Sequence, residues 1–214
     1  MKDLSIIISF LLMSVLAVGQ NSNEAKALLD KTYNQYVGSK GIRLNFSATY
    51  IDANGKEQGS QEGTAYVRGN KFRLEMESMN VWFDGKTQWV LMKDINEVNI
   101  SNPSNEELAS ISPTALLGMY KQGFILDEPI NKTINGKNAS VIDMKPIKEN
   151  GEINSIAVAI DKTSQELLQV TITMSNNTKN RLDISNYNSN YKFDDNEFVF
   201  DKSKHSGVEI VDLR

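Results

Sequence analysis

Hydrolytic, redox or metal chemistry needs side chains that carry a proton, a nucleophile or a lone pair, brought together by the fold. This chain offers few of them. Its 214 residues include one histidine and no cysteine. His205 follows Lys202-Ser203-Lys204 near the C-terminus, in a stretch that reads as a solvated loop with no second His or Cys to share a metal. Asp194-Asp195 is acidic enough for calcium but lacks the alternating spacing of an EF-hand loop, and reads better as a solvated turn. Neither a glycine-rich phosphate loop nor a Gly-x-Ser-x-Gly elbow occurs. No catalytic residue, metal ligand or cofactor is expected, and a binding protein fits better than an enzyme.

What the chain does supply is soft apolar surface. Tyr66, Phe72, Met76, Met79, Trp82, Phe83, Trp89, Met92 and Met119 crowd its first half and middle. Methionine and aromatic rings adapt their packing, which suits a site for flexible acyl chains of differing length. Phe46, Tyr66, Leu74, Met76, Trp82, Trp89, Leu116, Leu117 and Met119 are the candidate ligand-binding residues. Ordinary core filling accounts for the same residues, and both readings stay open at this stage.

Such groups need elements to hold them. Ala25, Leu28, Leu29, Thr32, Tyr33 and Tyr36 recur at helical spacing, with Ser22 or Asn23 able to cap the start and Gly38 the end. The period then changes to two: Ile42, Leu44, Phe46, Ala48 and Tyr50 alternate with polar or small neighbours, as in a half-buried strand. Asn54-Gly55, Gly69-Asn70, Asp84-Gly85, Asn135-Gly136, Asn150-Gly151 and Asn176-Asn177 mark hairpin turns between further strands. In the middle, Ser104 to Glu107 fits a capping box, and Ser112-Pro113 opens a short apolar helix through Tyr120. The order is helix, about five strands, helix segment, about five more strands. An antiparallel sheet of that width curls under its own twist, and two short helices would fill its concave face only in part. The fold expected is mainly β (α+β): a single curved antiparallel sheet forming an unclosed barrel of about ten or eleven strands, lidded by an N-terminal helix and a short middle helix segment.

The first residues read as an export signal. Lys2 supplies a positive start, Ile6 to Leu16 form an apolar run too short to span a bilayer, and Ala17-Val18-Gly19 places small residues at a cleavage site. Residues 1–19 are assigned to the signal and 20–214 to one domain located in the periplasm. Without a cysteine the mature chain cannot carry a lipid anchor or a disulfide. A net charge of −4 with no long basic run gives no footprint for nucleic acid.

Several stretches together resemble a known family. Glu62-Gly63-Thr64-Ala65-Tyr66-Val67-Arg68, Phe72-Arg73-Leu74 and Asp84-Gly85-Lys86-Thr87-Gln88-Trp89 are similar to the outer-membrane lipoprotein carrier (LolA) family. Ser112-Pro113-Thr114-Ala115-Leu116-Leu117 with Tyr120-Lys121-Gln122-Gly123-Phe124 resembles the lid segment of its Bacteroidetes-type members. Phe198-Val199-Phe200-Asp201 and Gly207 to Asp212 resemble its closing strand. The resemblance implies a monomeric chaperone that holds the acyl chains of outer-membrane lipoproteins between sheet and lid. It also implies an inner-membrane lipoprotein-releasing transporter as donor and an outer-membrane acceptor; the family's acceptor is itself lipid-anchored, which the missing cysteine argues against here. The family's functional arginine stands in Val-Lys-Arg-Pro and bonds the lid. Its nearest match is Arg68 in Val67-Arg68-Gly69-Asn70, for which the resemblance implies the latch role. A carrier or sensor for another envelope lipid or hydrophobic ligand on the same half-barrel is the alternative.

Overall fold

The computed structural model describes residues 21–104, 107–108, 112–148, 151–194 and 196–214; the expected signal, residues 1–19, and Asp195 lie outside them. Helix α1 (Asn23–Val37) begins where Ser22 Oγ accepts the Ala25 amide at 3.0 Å. Ala25, Leu29, Thr32 and Tyr36 form its buried stripe, the one-face spacing of an amphipathic helix.

Among the described residues thirteen strands follow in one sheet: β1 (Ile42–Ile51), β2 (Glu57–Arg68), β3 (Lys71–Met76), β4 (Met79–Phe83), β5 (Gln88–Met92), β6 (Glu97–Ser101), β7 (Phe124–Leu126), β8 (Ile130–Ile134), β9 (Lys137–Pro146), β10 (Ile153–Asp161), β11 (Leu167–Met174), β12 (Lys179–Asn188) and β13 (Glu209–Asp212). Helix α2 (Pro113–Gly118) and a 3-10 turn (Met119–Lys121) stand between β6 and β7. The strand order is β13-β6-β5-β4-β3-β2-β1-β12-β11-β10-β9-β7, with β8 also on β9, so the curved sheet does not close into a barrel.

Two features exceed the pattern read from sequence. Strands β7 and β8 share the outer edge of β9, Leu126 facing Met144 and Ile130 facing Val141, because Pro129 between them cannot donate to a ladder. At the other edge β13 runs parallel to β6, the one parallel pair among the described strands. The β8–β9 turn has positive φ at both Asn135 and Gly136, the primed geometry that Asn-Gly favours.

Alternation sorts side chains onto two faces. Ile42, Leu44, Phe46, Val67, Phe72, Leu74, Val81, Phe83, Ile142, Met144, Ile156 and Ile160 point inward and form the main core with Leu29, Tyr36, Leu117 and Tyr120 from the helical segments. Gly63 is essential to that packing: it pairs with Phe46, whose ring lies where a β-carbon would sit, 2.4 Å away. Gly63→Val is therefore expected to cost about 1–3 kcal/mol through overpacking, read as a lowered denaturant midpoint.

Candidate functional site

Met76 at the end of β3 pairs with Gly63, and Gly63 with Phe46, so residues 47–51 of β1 and 57–62 of β2 project past β3 by roughly 17 Å. Strands β11 and β12 extend alongside them, Ile51 facing Lys179. On the inner face of this projection the packing opens. Ala48, Tyr50, Val170, Ile172 and Leu182 line a trough of about 580 Å³. Tyr50 is 45% exposed, and Ala48 and Leu182 are half-buried. Inward-facing apolar groups left partly wet are what an uncovered core face looks like.

At the other end the face is covered by α1 and α2. Ser112 Oγ accepts the Ala115 amide at 3.2 Å and caps α2. Upstream, Ser104 and Glu107 exchange the two bonds of a capping box. Leu117 is 2% exposed and belongs to the main core. Four contacts dock the segment. Thr114 Oγ1 donates to the Gly69 carbonyl at 3.1 Å, tying α2 to the β2–β3 turn. The Tyr120 hydroxyl donates to Asp30 of α1, Lys121 Nζ stands 3.4 Å from the centre of the Tyr33 ring, and Gly118 packs on that ring. Hydrogen bonds from Lys26 and Tyr120 hold the Asp30 carboxyl below the usual range, while burial and then Asp30 push the Tyr120 phenol upward. A second groove, of about 830 Å³, runs beside α2 between Tyr33, Asn70, Phe83, Leu108, Met119 and Phe124.

The structure divides the residues singled out from sequence. Phe46, Leu74, Met76, Leu117 and Met119 meet in or against the main core. Leu116 lies on α2, but its side chain falls outside the described residues. Tyr66, Trp82 and Trp89 are elsewhere: they follow the opposite alternation and point to the outer face. Trp82 pairs with Trp89 across β4 and β5, and both pack with Leu91, Val98 and Val208 in a separate cluster.

That outer face is covered by the C-terminal segment, which sequence reading did not place there. Tyr66 packs at a tilt on Tyr191 and edge-on against Phe193, Phe193 packs on Phe198 at 5.0 Å, and Arg73 pairs with Glu75 and Glu197. His205 is no solvated loop residue: it stacks on Phe200 at 4.9 Å and meets the edge of Trp82 at 5.8 Å. Arg68 also turns outward, lying over the rings of Phe193 and Phe198 at 5.8 and 5.2 Å. The hydrogen bond between lid helix and hairpin comes from Thr114 instead. The signals that could have located this strap are the aromatics at Tyr191, Phe193, Phe198 and Phe200. Among the described residues no cluster of three metal-ligating groups occurs.

An unclosed half-barrel, apolar within and lidded by short helical segments, defines a binding fold. The chain belongs to the family of the outer membrane lipoprotein carrier protein LolA, which matches residues 14–178. Members of this family are binding and carrier proteins. Among solved structures the chain is similar to an uncharacterized conserved protein from Thermus thermophilus, with TM-score 0.59, 10% identity, and 88% of this chain and 98% of that one covered. It is similar also to a LolA superfamily protein from Nitrosomonas europaea (TM-score 0.46, 10% identity, 85% and 100% covered). Lipoprotein LppX from Mycobacterium tuberculosis follows at TM-score 0.43 and 17% identity, with 79% and 99% covered. No curated protein matches in sequence. At these identities the likeness is one of fold.

Proposed function

We propose that the mature chain is a periplasmic carrier that takes the acyl chains of lipoproteins from an inner-membrane releasing transporter and yields them to an outer-membrane acceptor. The observation that carries this reading is the half-filled inner face, in which an open trough, apolar at Ala48, Tyr50, Val170, Ile172 and Leu182 and polar at Gln58, Gln61 and Asn180, continues into a core capped by a six-residue helix. Each methylene withdrawn from water contributes about 0.8 kcal/mol, so an acyl chain binds tightly to any such surface. Release then requires a competing occupant. The lid supplies one: α2 leaves when the chain enters and returns as it departs, so closed and open states differ by little.

The test is recovery of the protein from the envelope with bound lipid identified by mass spectrometry, followed by transfer of a labelled lipoprotein to acceptor membranes. Acylated protein in the cavity and transfer that needs this chain support the reading. Free lipid alone would replace it with a lipid carrier.

Two further outcomes are expected. The secreted chain starts at Gln20, and N-terminal sequencing that finds Met1 in a membrane fraction contradicts this. Thr114→Val removes one lid hydrogen bond, about 0.5–1.5 kcal/mol; stopped-flow uptake of an acylated peptide speeds up while the outer face is undisturbed. Arg68→Leu, on the outer face, leaves uptake unchanged. Faster uptake in Arg68→Leu and none in Thr114→Val would return the latch to the arginine.

A further inference from the structure

The main core contains a polar feature that the carrier reading does not use. Between Arg43 and Asn45 the register of β1 against β12 slips, so that two steps on β1 face three on β12, from Ser185 to Asn188. The extra residue is accommodated at Asn186, whose φ is 50°. Such a bulge re-aims the side chains after it. Asp183 and Ser185 belong to the outer face; Tyr187, two residues on, packs inward against the main core. There it meets Tyr36 of α1, ring centres 5.6 Å apart.

Both phenol oxygens are buried, and neither has a hydrogen-bond partner among the described residues. Tyr36 is 0% exposed. A buried hydroxyl without a partner is costly, and phenylalanine would fit either position without that cost. Two such hydroxyls, on rings from separate elements that a bulge sets side by side, point to an acceptor that both can serve. Burial pushes both phenols upward, so they remain neutral donors. The same burial disfavours an anion beside them, since a charge there would be desolvated; Glu166, which also meets Lys137 Nζ at 3.9 Å, acts on both phenols in the same sense as burial. Tyr187 lies five residues along β12 from Leu182 in the trough, roughly 16 Å away.

We propose that Tyr36 and Tyr187 form a two-donor seat for the neutral carbonyl oxygen of an acyl ester or amide whose hydrocarbon chain lies along the inner face. This rests on the carrier reading and adds to it a polar anchor that distinguishes an acylated cargo from bare hydrocarbon. Helix α1 must move to admit the group, since Tyr36 and its neighbours now fill the space.

The test compares ligands of matched length by displacement of a hydrophobic fluorophore from the mature protein: methyl decanoate, N-methyldecanamide, undecane and decanoate. Wild type is expected to favour the ester or the amide over undecane, the stronger of the two naming the cargo linkage, and to bind decanoate more weakly than its ester. Tyr36→Phe and Tyr187→Phe each lose about tenfold for the preferred carbonyl ligand and nothing for undecane. The thermal midpoint of the empty variants stays level or rises, because an unpaired hydroxyl has been removed. A fall in that midpoint shows that the hydroxyls are satisfied within the empty protein, and overturns the seat. Equal loss for undecane, or no loss for the ester and amide, overturns it as well. If wild type binds none of the four ligands, the carrier reading fails first and the seat with it.

Discussion

Replacing Phe198 by alanine is expected to cost about 3–5 kcal/mol, the range for truncating a buried phenylalanine. The side chain is 1% exposed, packs edge-on against Phe193 and carries the Arg68 guanidinium on its face. It is the central pin of the strap that crosses the outer face. The effect has its own reporter. Trp82 and Trp89 are the only two tryptophans, and both belong to the cluster that Val208 and Phe200 cover. In Phe198→Ala the tryptophan emission therefore shifts to the red at lower denaturant than the loss of far-UV circular dichroism. Acyl-ligand affinity measured well below that transition stays at the wild-type value, because the inner face is on the other side of the sheet. A lowered midpoint with unshifted emission would show that the strap does not depend on Phe198.

The same two-faced geometry explains what could be read from sequence. Period-two alternation in β1, with Ile42, Leu44 and Phe46, fixes a face by itself, and the turn dipeptides fix most hairpins. At Val81-Trp82-Phe83 three apolar residues run together and alternation is silent. Only the pairing of Leu74 with Val81 and Phe72 with Phe83 shows that Trp82 points away from the core. Tyr66 misleads for a related reason: Ala65 and Val67, its small neighbours, are the inward residues, and the large ring is outside. Burial of these outer aromatics depends on a segment more than a hundred residues later in the chain, which no local pattern reports. Arg68 shares the alternation of Tyr66, so its outward course follows from that pairing. The bulge at Asn186 is equally hidden, since Asn at positive φ is common in turns and gives no sign of a strand that changes face.

Leu117→Glu is expected to open the lid without unfolding the sheet. At 2% exposure in the main core, a carboxylate at this position would be desolvated among apolar side chains, a cost of several kcal/mol. The chain can avoid that cost in two ways, and the smaller one decides. Global unfolding sacrifices the whole sheet. Undocking α2 sacrifices the buried leucine, about 1.5–3 kcal/mol, and polar contacts such as Thr114 to Gly69 and Tyr120 to Asp30 at about 0.5–1.5 kcal/mol each. A six-residue helix has little stability of its own, so once undocked it frays into solvent. The variant should keep its far-UV spectrum, exchange the amides of residues 114–121 far faster than wild type, and bind a hydrophobic fluorophore more strongly. Ile142→Glu is the comparison: Ile142 is 0% exposed on the central part of β9 and has no detachable element to carry it away. That variant should lose the sheet signal. If Leu117→Glu unfolds the sheet as completely as Ile142→Glu, α2 is an inseparable part of the core, and a carrier that admits its cargo by displacing α2 is excluded.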